Sequence, residues 1–293
     1  MKQYKAIFFD WDGTAVLSRK APADEAAAAM KPLLAQGTKL AVVSGTTMEN
    51  IAGGRLASYF TVEERKNLFF GLGRGAFNYG FDEKGELISI GGRMPDPETL
   101  LYIHDACYDI HRFLLEKYSM NTDIVFSRPN YCKIDLMADR DRGDALFLQE
   151  GEVESLMESL AAHGFDGGLK KLIALAESRS REDFPPLTAT TDAKYLEVGI
   201  SSKSDNVNTL MGYFAENYGI TSADCCFWGD EFIGLGEGIY GSDSFMITPE
   251  TVGGDFFDVS EAAGSRPNKV KLVRGGVKEF LRFLTCQKRK IFS

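Results

Sequence analysis

Two aspartates one residue apart, Asp10 and Asp12, follow a short apolar run from Ala6 to Phe9 and stand just ahead of Gly13-Thr14. In an extended backbone, positions two apart project to the same side, so these carboxylates face one site. Like charges held that close raise the pKa of one member, leaving an ionised nucleophile beside a protonated acid near neutral pH. Gly13 then lets the chain turn sharply away. Three other stretches carry polar groups at comparable places. Ser44-Gly45 closes the apolar run Leu40 to Val43, Gly229-Asp230-Glu231 closes Cys225 to Trp228, and Lys203 opens a stretch where Val207, Leu210, Met211 and Phe214 recur at helical spacing. A serine hydroxyl with free backbone N–H groups at a strand-to-helix junction can hold a phosphoryl oxygen. A lysine at a helix start opposes the macrodipole unless an anion sits nearby. Asp230 can meet Asp10 at the carboxyl edge of a parallel sheet, where a hard cation held by few carboxylates and several waters is expected to be magnesium. Each stretch also has an ordinary reading: an aspartate pair capping a turn, a serine N-cap, a solvated lysine.

The elements around these residues follow a recognisable grammar. Pro22 opens an alanine-rich segment that closes at Gly37, as expected of a helix with proline near its first turn and glycine just past its end. Thr46-Thr47-Met48-Glu49 fits a capping box starting a further helix, and Leu68-Phe69-Phe70 reads as a third strand. Strand, helix, strand, helix, strand implies a parallel sheet. From about Tyr79 to Lys194 the order becomes mixed. It runs through a hairpin-like stretch around Glu83-Lys84-Gly85, a long helix striped by Leu100, Ile103, Cys107, Ile110 and Leu114, two strands joined near Pro129-Asn130, and more helix. Parallel-sheet order then resumes, with Ser244 to Ile247 as the last strand. The expected fold is therefore α/β, a Rossmann-like parallel-sheet core of residues 1–79 and 195–293 with an inserted α+β cap of residues 80–194.

In the strand beyond Asn130, Cys132, Ile134 and Leu136 alternate with Tyr131, Lys133 and Asp135, so one face packs and the other is polar. An inserted domain that closes over a site would contact a bound molecule from such a face, which makes Arg128, Tyr131 and Lys133 the candidate substrate contacts, with Gly45 beside Ser44. His104, His111 and His163 have no acid or thiol partners at ligand spacing and read as structural.

Composition narrows the partners. With 33 basic and 42 acidic residues the formal charge is −9, which disfavours nucleic acid and anionic membranes as general partners. Five cysteines without a Cys-x-x-Cys pair fit neither a zinc knuckle nor a disulfide framework, so a reducing cytoplasm is the simplest location. No signal-peptide core precedes Asp10 and no stretch is long enough to span a bilayer. A monomer or weak homo-oligomer acting on a small molecule is expected, with the basic end Lys288-Arg289-Lys290 a solvated terminus.

Asp10-Trp11-Asp12-Gly13-Thr14 after a first strand resembles the first motif of the haloacid dehalogenase-like superfamily. The others follow in order: Val42-Val43-Ser44-Gly45 resembles the second, Lys203 the third, and Phe227-Trp228-Gly229-Asp230-Glu231 the fourth. The insert occupies what looks like the cap position of the Cof-like sugar-phosphatase branch (subclass IIB). Gly73-Arg74-Gly75-Ala76 partly matches the usual Asn-Gly-Ala entry to that cap, and Tyr195-Leu196-Glu197-Val198 resembles its exit. The resemblance implies a magnesium-dependent phosphatase acting on a small phosphate ester, a sugar phosphate above all. Asp10 attacks phosphorus to form an aspartyl-phosphate, Asp12 serves as general acid and base, and Ser44 and Lys203 balance charge. The implied metal ligands are the Asp10 carboxylate, the Asp12 backbone carbonyl and Asp230. The family's further acid is expected about four residues after the Gly-Asp; Ile233-Gly234 stands there, so Glu231 is the substitute. A phosphomutase or phosphotransferase using the same aspartates, and a non-catalytic phosphometabolite-binding protein, are the alternatives.

Overall fold

The computed structural model describes residues 2–139, 151–192 and 194–288, so Arg289 and Lys290 of the basic end lie outside the described residues. The strands in chain order are β1 (Ala6–Phe9), β2 (Lys39–Ser44), β3 (Leu68–Leu72), β4 (Phe77–Phe81), β5 (Leu87–Gly91), β6 (Asp123–Val125) and β7 (Tyr131–Asp135). They continue as β8 (Thr188–Thr191), β9 (Tyr195–Gly199), β10 (Cys225–Gly229), β11 (Gly234–Gly236), β12 (Ile239–Tyr240), β13 (Asp255–Asp258) and β14 (Val270–Leu272). The helices are α1 (Asp24–Ala35), the single turn α2 (Val62–Arg65), α3 (Pro97–Tyr118), α4 (Glu152–Ala162), α5 (Gly168–Glu177), α6 (Lys203–Tyr218) and α7 (Gly276–Gln287).

The chain divides into two compact units, one of Met1–Arg93, Ser202–Ile233 and Asp243–Ser293, the other of Met94–Ser201 and Gly234–Ser242. The first holds an eight-stranded sheet in the order β14-β13-β10-β1-β2-β3-β4-β5, parallel from β14 through β3 and closed by the antiparallel pair β4 and β5. A strand covered on both faces reads as a continuous apolar run, and β1 shows why. Ile7 and Phe9 pack with Leu40, Val42, Trp228 and the α1 and α7 residues Met30, Leu33, Phe280 and Leu284. Ala6 and Phe8 point the other way, into a second core with Val43, Phe227, Phe256 and the α6 residues Val207, Leu210 and Phe214. Every parallel strand therefore delivers its carboxyl end to one lip of the sheet.

The second unit has its own sheet, β6-β7-β9-β8, antiparallel throughout, with the hairpin β11–β12 in the same unit. Ile103, Cys107, Ile110 and Leu114 of α3 are fully buried, as are Cys132 and Ile134 of β7. No described helix is long and apolar enough to cross a membrane. The five cysteines are all free thiols.

Several elements differ from the sequence expectation. The hairpin around Glu83-Lys84-Gly85 joins β4 to β5 in the main sheet, so the inserted unit starts at Met94, beyond the expected border at residue 80. The capping box at Thr46 starts no α-helix. Ala52, Gly53 and Gly54 all have positive φ, which breaks the segment into short 3₁₀ turns, and the capping box forms later, between Thr61 and Glu64. The segment expected as the last strand is also a 3₁₀ turn, Ser242–Met246, and the sheet edge is completed by β13 and β14.

At that edge Asp255 accepts hydrogen bonds from Lys2 (2.8 Å), Tyr4 (3.0 Å) and Lys271 (3.0 Å). The Lys2 contact is the largest of the influences that bring its carboxyl down to about 2, burial opposing. A depressed carboxylate pKa contributes stability above the unfolded value that is lost as pH falls from about 4 to about 2. Asp255→Asn is therefore expected to cost about 1 kcal/mol at pH 7, solvent screening included, and progressively less toward pH 2, as urea midpoints at pH 7 and pH 3 will show.

Candidate active site

The lip of the main sheet gathers the chemistry. β1 runs into Asp10, β2 ends on Ser44, and β10 leads into Asp230; these three strands are neighbours in the order β10-β1-β2. Asp10 and Ser44 are buried at 7% and 5% exposure. Lys203 is the first residue of α6, whose capping box of Ser202 and Asp205 fixes the helix start. Its ammonium donates to Asp10 Oδ1 at 2.9 Å and to Asp243 Oδ1 at 2.7 Å. Asp243, fully buried, also accepts from the backbone N–H of Glu231 at 2.8 Å, and Thr14 donates to Asp230 Oδ1 at 2.9 Å. Carboxylate oxygens of Asp10, Asp230 and Asp243 all lie within 4.8 Å of one another.

Two glycines make this convergence possible. A Cβ on Gly13, whose φ is +81°, would stand 2.1 Å from Asp230 Oδ2, and one on Gly229 would stand 2.2 Å from Asp243 Oδ2. Gly229→Ala is expected to push Asp243 aside, costing about 1–3 kcal/mol in stability, measurable by thermal melts.

Burial dominates the electrostatics. It raises the Asp10 carboxyl well above its ordinary range, with Lys203 opposing and Asp243 and Glu231 reinforcing. Asp230 is raised by burial, then by Asp243, Glu231 and Asp10. Asp12 is raised by burial against the pull of Arg19, whose Nη2 is 3.5 Å from Oδ2, and of Lys203; Asp12 Oδ1 is buried without a hydrogen-bond partner. For Lys203, burial disfavours the charge, but Asp10 and Asp243 outweigh it and the pKa is raised. An all-oxygen donor set, buried and electron-rich, fits a hard divalent cation such as magnesium.

No family model and no curated protein sequence matches this chain. Solved structures do. An IMP-bound mutant of the Plasmodium falciparum IMP-nucleotidase aligns over 97% of this chain and 67% of its own, at 14% identity and a TM-score of 0.61. SMU.1108c from Streptococcus mutans UA159 aligns over 96% of this chain and 97% of its own, at 14% identity and a TM-score of 0.52. The chain has the haloacid dehalogenase-like fold. At such identities the likeness speaks for the fold, and the side chains must speak for the site.

Within this haloacid dehalogenase-like fold Asp10, Asp12, Ser44, Gly45, Lys203, Asp230 and Glu231 fall at one lip of one unit. The cluster of carboxylates contains Asp243 in the place expected of Glu231, which contributes its backbone N–H to Asp243. The excursion Gly234–Ser242, folded with the other unit, separates the two acids along the chain, which is why a search four residues beyond Asp230 finds Ile233-Gly234. Asn206 was also missed. It is fully buried one turn along α6, accepts from the Gly75 N–H at 2.7 Å and donates to Leu72 O, Phe77 O and Asn78 Oδ1. Only its place in the polar-looking start of an amphipathic helix hinted at this.

Arg128, Tyr131 and Lys133 belong to the other unit. There Lys133 pairs with Glu197 on the neighbouring strand β9, and its ammonium lies 4.7 Å from the Tyr195 ring centroid. Burial works against that charge, yet Glu197 and Tyr131 raise its pKa. Tyr131 is buried. His111 Nδ1 meets Thr122 Oγ1 at 2.7 Å and His163 Nδ1 meets Tyr118 O at 3.0 Å, while His104 packs edge-on to Phe126. No histidine joins a metal-sized cluster among the described residues.

Proposed function

We propose that the protein is a magnesium-dependent phosphomonoester hydrolase that acts on a small phosphorylated metabolite through an aspartyl-phosphate on Asp10. The observation that carries this reading is the meeting of Asp10, Asp230 and Asp243 around one point, with Lys203 bonded to two of them. Asp10, Asp230 and Asp243 would hold magnesium, which when bound would neutralise charge on the transferring phosphoryl group.

The chain's own residues do the rest. The Asp10 carboxylate attacks phosphorus, the P–O bond to the leaving group breaks, and Asp12 gives that oxygen its proton. Burial raises the Asp12 pKa, which favours the protonated form the step requires. Asp12, then ionised, takes a proton from water as it attacks the aspartyl-phosphate, releasing phosphate and restoring Asp10. Lys203 holds Asp10 in place, and the Ser44 hydroxyl with the N–H groups that follow it binds phosphoryl oxygens.

A sugar phosphate is the first substrate class to test, on the resemblance of the motifs and of the insert's position to the Cof-like branch. The likeness in fold to an IMP-nucleotidase adds nucleoside monophosphates to the panel. Purified protein is expected to release phosphate from p-nitrophenyl phosphate and from one class of that panel with magnesium, and to lose this with a chelator. No release from any ester in the presence of magnesium would overturn the reading. Transfer of labelled phosphate between sugar positions without free phosphate would replace it with a mutase.

A further inference from the structure

Arg74 and Lys203 are the two basic residues, among those described, that are buried outright, at 4% and 6% exposure. Arg74 lies in the turn that leaves β3, the strand next to β2 and its Ser44, so the lip reads Asp230, Asp10, Ser44, Arg74 across four consecutive strands. Its side chain runs along the Ser44-Gly45 turn: a Cβ on Gly45 would lie 3.5 Å from Arg74 Cγ. Gly73 N–H donates to Thr46 O at 2.9 Å, which ties the two turns together, and Asn206, one helical turn from Lys203, holds the Gly75 N–H at 2.7 Å.

The backbone at Arg74 is costly. Its φ is +54°, the left-handed region that a residue with a Cβ rarely adopts, between two glycines that take positive φ freely. Strain of this kind persists where the neighbourhood enforces it and a side chain is wanted at that place. Electrostatics supplies the need. Asp10, Asp12, Asp230, Glu231 and Asp243 make the site strongly acidic, and a phosphate ester brings two further negative charges. Lys203 lies on the carboxylate side, where a divalent cation would also be held, so charge on substrate oxygens beside Ser44 calls for a further positive group there.

We propose that Arg74 is an anion-binding residue of this site, its guanidinium holding anionic oxygen atoms of the substrate beside the Ser44-Gly45 turn. A planar fork of donors suits phosphate or carboxylate oxygens. This rests on the phosphohydrolase reading above, and the test separates the two. Arg74→Asn keeps the turn, because asparagine tolerates positive φ, and is expected to fold while kcat/KM falls about 100-fold. An equal fall on p-nitrophenyl phosphate and on a bisphosphorylated ester assigns Arg74 to the transferring phosphoryl group; a fall on the bisphosphate alone assigns it to a second anionic group. Unchanged kcat/KM on both overturns the proposal. If wild type shows no turnover, the hydrolase reading fails by itself, and protection from thermal unfolding by inorganic phosphate still tests Arg74: wild type protected and Arg74→Asn not is the expected result, equal protection the contrary one. Should Arg74→Asn not fold, Arg74→Lys keeps the charge without the fork; phosphate inhibition weakened about tenfold supports the assignment, and an unchanged inhibition constant rejects it.

Discussion

Asp10→Asn is expected to abolish turnover, with kcat falling by about four orders of magnitude or more, while the protein stays folded. Asparagine keeps the shape of the side chain and an oxygen that can accept the Lys203 hydrogen bond, now 2.9 Å long, but it has no carboxylate to attack phosphorus. The stability change has a predictable sign as well. Burial, Asp243 and Glu231 all disfavour ionised Asp10 and only Lys203 favours it, so the folded pKa is raised. A carboxyl whose folded pKa lies above its unfolded value weakens the fold at neutral pH, when it is ionised. The metal-free variant should therefore melt no lower than wild type, and a lost function with a retained or raised melting temperature is the signature of a group kept for chemistry. Phosphate release measured beside a thermal melt decides it: a well-folded variant that turns over at the wild-type rate removes Asp10 from the mechanism.

How much of this could be read from the residues alone differs between its parts. The strand ends were legible because a strand covered on both faces must be apolar throughout, so the place where Ala6 to Phe9 gives way to Asp10, or Cys225 to Trp228 gives way to Gly229-Asp230, marks both an element border and a polar lip. Lys203 was legible because a cation at a helix start calls for an anion, and the structure supplies two carboxylates. Asp243 was not, since its partnership with Asp230 depends on a chain excursion, Gly234–Ser242, that folds with the other unit. Arg74 was not, because a positive φ at a residue other than glycine leaves no trace in composition or periodicity. The edge strands β13 and β14 are only four and three residues long, too short for alternation to stand out, and Asp255-Phe256-Phe257-Asp258 has acids at both ends. The segment after Ser44 misled for the opposite reason: its local capping signal is genuine, but Gly53 and Gly54 outweigh it two turns later.

Lys203→Met provides the other large effect, and one that tests the metal without relying on turnover. Lys203 is the cation that makes three buried carboxylates tolerable: its ammonium bonds Asp10 and Asp243, and Asp230 lies in the same cluster. Methionine fills much of the unbranched stem's volume but brings no charge, so the loss isolates electrostatics from packing. Removing one partner of a buried ion pair costs about 3–5 kcal/mol, because the desolvated charge left behind has nothing to offset it. The metal-free variant is thus expected to melt far below wild type. Magnesium should restore a large share of that loss, since a dication among Asp10, Asp230 and Asp243 replaces the missing charge, and the gain on adding magnesium should exceed the gain wild type shows. Turnover at saturating magnesium should still be down by about 100- to 1,000-fold, because charge at the metal position does not reproduce a donor held on the Asp10 carboxylate. Melting curves with and without magnesium, run beside the same pair for Asp243→Asn, separate the two roles. Asp243→Asn removes a carboxylate from the cluster, so it should lose the magnesium response that Lys203→Met enhances. A Lys203→Met protein that melts with wild type in the absence of metal would show that the carboxylates need no cation, and the electrostatic account of the site would fall with it.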